Sequence, residues 1–403
     1  MRLKNIFLFI LIIFCLISSY KIFLVSKNIS NDYHFSLLAE SFLQGRLDLL
    51  TNSSNFPPGD VAFYKNKYFI YFGPLPGIIL MPFVLLFGSN FPQNFLTILI
   101  SFLSFWLIIK IAQKFNFRIE DSLWIALFYI FGTVYSFLTL VNISAFQVQI
   151  IGNFFILLAI YEFFSKKRHF LIGLYLSLAM ATRLTLLMGV IFFILDILEK
   201  NYSFKRKVFL LINLLFPIGL IGFSLMIYNF VRFDNIFESG YKYNITLPYT
   251  SNFNAVKKYG IFSFYHLPIN IYYFVFSAPI LIRNSSGIPI FPFLKADHWG
   301  LSIIFTSPLL VFSLFFLDFK KNWKEIITTF LISLSIFTYY GVGVSQFGYR
   351  FALDFYPFLF LILLKTLNGK LIFIHKLLII YSIIFNFLFM LSIWEKYPLL
   401  GIY

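Results

Sequence analysis

The residues best suited to chemistry lie in three places. The first follows the opening apolar run directly, in Ser30-Asn31-Asp32-Tyr33-His34, and continues through Glu40, Arg46, Asp48, Asp60 and Lys67. A carboxylate there can serve as a general base, because partial shielding raises its pKa towards the working range of a proton acceptor. Its simpler role is to cap the short helix that the mixed stretch 33–50 suggests, a helix lying in the membrane interface. The second is Arg183, in Ala181-Thr182-Arg183-Leu184-Thr185, with apolar sequence on both sides. A charge so placed is costly and marks a cavity or a partner, with an ion pair or snorkelling to headgroups as the plainer reading. The third is Gln346-Phe347-Gly348-Tyr349-Arg350-Phe351. The planar fork of Arg350 suits phosphate, and Tyr349 would line the same cavity. The alternative is an interfacial anchor in which Arg350 pairs with Asp354 at i,i+4. His266, Asp297 and His298 are dispersed, with no paired-His spacing, so no metal site is expected. Walker, GxGxxG and GxSxG motifs are absent.

The elements that must hold these residues are membrane helices. Of 403 residues 60% are hydrophobic and 12% charged, half the charge of a soluble domain. Apolar runs of about 20 residues recur along the chain, which means helices where no water can satisfy the backbone. The expected fold class is all-α and polytopic, one transmembrane domain over 1–403, with interfacial helices in the first outer loop. The run 6–25 follows Arg2 and Lys4 and reads as a retained anchor, not a cleaved signal. The single cysteine, Cys15, excludes internal disulfides. The net charge of +16 is assigned to topology signals and lipid contacts, not to nucleic acid.

Candidate spans are 6–25, 68–87, 94–113, 121–140, 145–164, 169–198, 208–231, 299–317, 325–343, 351–367 and 371–394. Simple alternation from a cytoplasmic N-terminus would put Lys166-Lys167-Arg168 outside, against the positive-inside rule. Two changes repair the count. Segment 68–87 contains Gly73, Pro74, Pro76, Gly77 and Pro82 and reads as re-entrant. Segment 169–198 reads as two helices with Arg183 at the turn. The result is about 11 crossings (10–12), with the loops 26–67 and 232–298 and the C-terminus extracytoplasmic.

The first loop, "NDYHFSLLAESFLQGRLDL", resembles that of the GT-C superfamily of polyprenyl-phosphate-sugar-dependent glycosyltransferases. "YKNKYFIYFGPLPGIILMPF" is similar to the tyrosine- and proline-rich segment after that loop in relatives of protein O-mannosyltransferases and aminoarabinose transferases. "YNFVRFDNIFESGYKY" and "QFGYRFALDFYPFLFLIL" are similar to elements of bacterial membrane proteins placed near the same group. The resemblance implies inverting transfer of a sugar from a polyprenyl-phosphate donor to an acceptor (lipid, glycan or protein) on the outer face of a bacterial inner membrane. It implies Asp32 as base and Arg183 and Arg350 as donor-phosphate binders, with His34, Asp48, Asp60 and Lys67 as further first-loop site residues. Many relatives carry an Asp-Glu pair where this chain has Asn31-Asp32-Tyr33. The missing second acid favours a mechanism without a divalent metal or other cofactor. The rival readings are a transporter or flippase for envelope glycolipids, which would place charges in mid-helix and show inverted repeats, and a non-catalytic membrane protein.

Overall fold

A computed structural model describes residues 3–27, 32–49, 59–249 and 253–393. Ser30, Asn31, part of the first outer loop (50–58) and the C-terminus expected outside (394–403) lie beyond the described residues. The chain is helical. Its first half carries α1 (Leu3–Lys27), α2 (His34–Leu43), β1 (Val61–Tyr64), β2 (Lys67–Ile70), α3 (Leu75–Phe87), α4 (Asn94–Lys114), α5 (Ile119–Phe131), α6 (Tyr135–Leu140) and α7 (Ser144–Phe164). Then come α8 (His169–Met180), α9 (Val190–Glu199), α10 (Phe204–Phe233), α11 (Phe253–Tyr259), α12 (Leu267–Ile271), β3 (Ile280–Arg283) and β4 (Pro289–Lys295). The chain closes with α13 (Ile303–Thr306), α14 (Pro308–Phe315), α15 (Phe319–Phe337), α16 (Tyr356–Leu367) and α17 (Phe373–Leu391).

Among the described residues five helices are long and apolar enough to cross a membrane: Phe7–Lys27, Asn94–Lys114, Ser144–Phe164, Phe204–Phe233 and Phe373–Leu391. Three shorter apolar helices, α3, α8 and α16, add to them. Several expected spans are broken instead. Span 121–140 stops at Gly132, where Thr133 Oγ1 turns back to the Tyr129 carbonyl, and restarts as α6. Span 299–317 breaks at Ser307, and Pro308 opens the next helix, the position where a missing N–H costs nothing. Span 351–367 begins as a 3-10 turn over Arg350–Asp354. α15 starts at Asp318, whose carboxylate accepts the Lys320 and Lys321 N–H groups.

The helical fold fits the all-α expectation; among the described residues it also carries two short antiparallel hairpins, β1–β2 and β3–β4. The β1–β2 turn is Lys65-Asn66, both at positive φ (47° and 59°), the twist that a two-residue hairpin requires.

The chain divides into two compact units. Unit 1 comprises Met1–Ile29, Leu103–Val141 and Tyr259–Tyr403; unit 2 comprises Ser30–Phe102 and Asn142–Lys258. In unit 2, α2 packs on α3 where Gly77 admits Leu38, so its Phe35, Leu38 and Ala39 are buried. Segment 68–87 is a strand followed by α3, only about 20 Å long at 1.5 Å per residue. Segment 169–198 is interrupted, as its length suggested. α8 ends at Met180, a 3-10 helix covers Leu184–Gly189, and α9 follows. The chain doubles back there, because Lys167 before α8 pairs with Asp196 near the end of α9, Nζ to Oδ2 2.6 Å. In unit 1 the acids at the helix ends are similarly clasped: Glu325 by Lys365, and Glu120 and Asp121 by Lys376.

Candidate functional site

Asp32 sits between α1 and α2, but the helix it caps is α7. Its Oδ2 accepts the Ser144 N–H at 2.9 Å, while α2 begins without a side-chain cap. The backbone is fixed to the same place: Asp32 N donates to the Asn142 carbonyl (3.2 Å), and Asn142 Nδ2 donates to the Asp32 carbonyl (3.0 Å). Gln147 holds Asn142 from the next turn of α7, Nε2 to Oδ1 3.1 Å. An anion at the first turn of a helix gains from the N-terminal end of its dipole.

A second layer of bonds closes the cluster. His34 is buried, with Nδ1 3.0 Å from Ser144 Oγ and 3.7 Å from Asp32 Oδ2. Gln93 is fully buried, its amide donating to Ser144 Oγ (3.1 Å) and its oxygen accepting the Phe35 N–H (2.9 Å). One side chain therefore ties the start of α2 to the start of α7. Gln93→Leu strands the Phe35 N–H, while Ser144 Oγ keeps His34, and an unmet buried group costs about 1–3 kcal/mol. The expected result is a clear fall in melting temperature of the purified protein in detergent, larger than that of Gln113→Leu at the end of α4.

The Asp32 side chain keeps 21% of its surface exposed. Burial pushes its carboxyl above the usual 3.8; His34 and the Ser144 N–H pull the other way, and the charge of Asp60 pushes up again. Asp60 is thus near enough for its charge to act on Asp32. Asp60 is positioned by the Tyr71 hydroxyl, which donates to Oδ1 at 2.6 Å, and Tyr71 packs on Phe72 and Tyr241. Among the described residues neither Asp32 nor Asp60 has a Lys or Arg within salt-bridge distance, unlike Asp48, Glu162, Asp196, Asp234 and Glu325.

Asp48 and Lys67 pair with each other. Asp48 takes a short hydrogen bond from Arg46 Nη2 and lies 3.8 Å from Lys67 Nζ. Burial pushes its carboxyl up, but Arg46 and Lys67 outweigh burial and hold it below the usual range. This clasp fixes 46–49 against β2, where Leu49 N donates to the Tyr68 carbonyl.

Arg183 is half-buried and extended (φ −148°) between α8 and the 3-10 helix. Its turn is docked on the exit from β2: Gly73 N donates to the Thr182 carbonyl and Leu75 N to the Ala181 carbonyl, both 3.3 Å. Tyr71, which holds Asp60, lies two residues before Gly73. Asp32, Asp60, His34 and Arg183 thus all belong to unit 2.

Arg350 belongs to unit 1. It opens the 3-10 turn with its guanidinium over the Phe351 ring at 4.3 Å. Tyr349 is 2% exposed and packed in the core of its unit, its hydroxyl donating to Asn270 Oδ1 (2.8 Å). Gly348 lets the strand-like crossing pass Leu301, where any Cβ would meet Val134 at 2.6 Å. The segment "YNFVRFDNIFESGYKY" lies in unit 2. Arg232 is buried, donates to the Ile70 carbonyl (2.6 Å) and stacks on Tyr228, while Asp234 takes Tyr64 and Lys65.

Sequence reasoning missed Asn142, Ser144, Gln147 and Gln93. Their signal was a cluster of amides and a hydroxyl at the start of an apolar run, with nothing to say that it faced residue 32. Among the described residues no group of three His, Cys, Asp or Glu side chains is arranged to hold a metal ion. No family model, curated protein or solved structure matches this chain.

Proposed function

We propose that the chain is a membrane glycosyltransferase that moves a sugar from a polyprenyl-phosphate donor to an acceptor outside the cytoplasm, with Asp32 as base. The observation that supports it is a carboxylate held by fixed donors, partly open to solvent, with no Lys or Arg in salt-bridge distance among the described residues, and raised in pKa by burial. Those are the properties a general base needs. The Ser144 N–H and the Asn142 bonds orient it, and burial, helped by the charge of Asp60, keeps its proton affinity high. Departure of a lipid phosphate develops negative charge that a fixed guanidinium stabilises without reorganisation, the role assigned to Arg183 and Arg350. The bacterial inner membrane, re-entry by 68–87 and about 11 crossings belong to the same reading.

The test is a comparison of membrane lipids and surface glycans in cells with and without the gene. Loss of one glycosylated product, with accumulation of one polyprenyl-phosphate sugar, is expected. Identical profiles would sink the reading. Within it, Arg183→Gln should lower kcat/KM for the donor by about 10²–10³, the usual loss for one charge-stabilising donor. Arg183→Lys keeps the charge but not the fork and should recover only part of it. Equal activity of all three proteins in vesicles would remove Arg183 from the site.

A further inference from the structure

The β3–β4 hairpin of unit 1 is apolar on both faces. Ile280 and Leu281 are successive residues in the regular part of the ladder, so they point to opposite sides, and both are exposed, as are Ile290, Phe291, Phe293 and Leu294. Phe291 is 60% and Phe293 51% exposed, their rings 6.0 Å apart and edge to face. Phe293 has φ +68°, beside a register shift between Leu281 and Arg283 opposite, an irregularity that re-aims side chains. An antiparallel sheet in water turns one polar face outward, and a lone two-stranded hairpin is marginal there. This hairpin needs an apolar medium.

Its position says which. The neck is closed by Ser302 N on the Ser277 carbonyl (2.9 Å) and Ser277 Oγ on the Gly300 carbonyl (2.8 Å). Its last strand is pinned by Ala296 N to Ser392 Oγ (2.8 Å), and Ser392 is the residue that ends α17. α17 is one of the helices long and apolar enough to cross a membrane, so the hairpin leaves the fold level with the end of a span. Residues 280–295 include Arg283 and Lys295 and no acid. A one-signed basic fringe on an apolar, aromatic body matches the interface of a bilayer with anionic headgroups. We propose that the β3–β4 hairpin lies in the lipid headgroup layer, its aliphatic and aromatic side chains in the upper acyl region and Arg283 and Lys295 at lipid phosphates. It would anchor the long loop to the membrane surface whatever reaction the chain performs.

The test uses the full chain with Cys15→Ala, spin-labelled singly through Phe291→Cys, Ile290→Cys or Ile288→Cys, in phosphatidylethanolamine–phosphatidylglycerol vesicles. These positions are exposed, so the changes leave the fold intact, and Phe223→Cys on the exposed face of α10 gives the lipid standard. Collisions with oxygen should exceed those with a water-soluble nickel chelate severalfold at all three. Combining Arg283→Glu with Lys295→Glu should raise chelate access in anionic vesicles more than in phosphatidylcholine. Chelate access at the level of a water-exposed label overturns the proposal. So does shielding from both reagents that brings spin–spin broadening or disappears on removing residues 394–403, since protein would then be the cover.

Discussion

Asp32→Asn is expected to leave the protein folded and to abolish product formation. Asparagine is nearly isosteric, and its Oδ1 can still accept the Ser144 N–H now bonded at 2.9 Å. Asn and Asp are equivalent caps, so the change removes the charge and little else. Loss of a positioned base costs about 10²–10⁴ in rate. The stability argument has the opposite sign. A carboxyl raised in the folded state is favoured protonated, so its ionised form costs stability. That cost is absent below the unfolded value of 3.8 and grows as pH rises through the higher folded pKa. Asn carries no such cost, and at neutral pH the variant should melt no lower than the parent. Activity runs the other way with pH: a base works only ionised, so the rate should fall as pH drops through a pKa above 3.8. Asp60→Asn removes the like charge that pushes Asp32 up and should move that acid limb to lower pH. Rates in vesicles supplied with donor lipid, with thermal melts beside them, check all of this. An Asp32→Asn protein that turns over like the parent ends the catalytic assignment.

Asp32 could be singled out from its place after an apolar run, and Arg183 from a charge in an apolar segment too long for one helix. Both signals work because solvation cost makes such residues conspicuous. The partners were not conspicuous. Ser144 and Asn142 are ordinary at a helix start, and Gln93 follows Pro92 in a short loop, so only the folded chain brings them to residue 32. The breaks at Gly132 and Ser307 were hidden because a window averages hydropathy over a span, and one glycine or serine scarcely changes the mean. The β1–β2 hairpin was hidden by its turn, since Lys65-Asn66 takes positive φ without the glycine that usually advertises it. The first-loop acids look alike in sequence, yet Asp48 is neutralised by Arg46 and Lys67 while Asp60 is positioned by Tyr71. The difference is which cation the chain brings within reach.

Gly73→Ala should be the most disruptive small substitution in unit 2. A Cβ at residue 73 would lie 2.0 Å from the Ala181 oxygen and 2.6 Å from its carbonyl carbon, with the Thr182 oxygen at 2.9 Å. All three are backbone atoms, so no rotamer change relieves the contact; the two segments must separate. Separation breaks the bonds from Gly73 N and Leu75 N, both already 3.3 Å. Overpacking of this kind costs about 1–3 kcal/mol, and two stranded backbone groups add about 1 kcal/mol or more each. The same movement displaces the turn that carries Arg183, and misplacing a site residue by about 1 Å can lower a rate by about 10². Melting temperature and donor turnover should therefore fall together. Gly219→Ala is the control, because nothing lies within 4 Å of a Cβ there and alanine favours the α10 helix by about 0.5–1 kcal/mol. If Gly73→Ala melts and reacts like Gly219→Ala, the turn at Arg183 is not held by the chain leaving β2, and the link from Asp60 through Tyr71 to Arg183 is broken at that point.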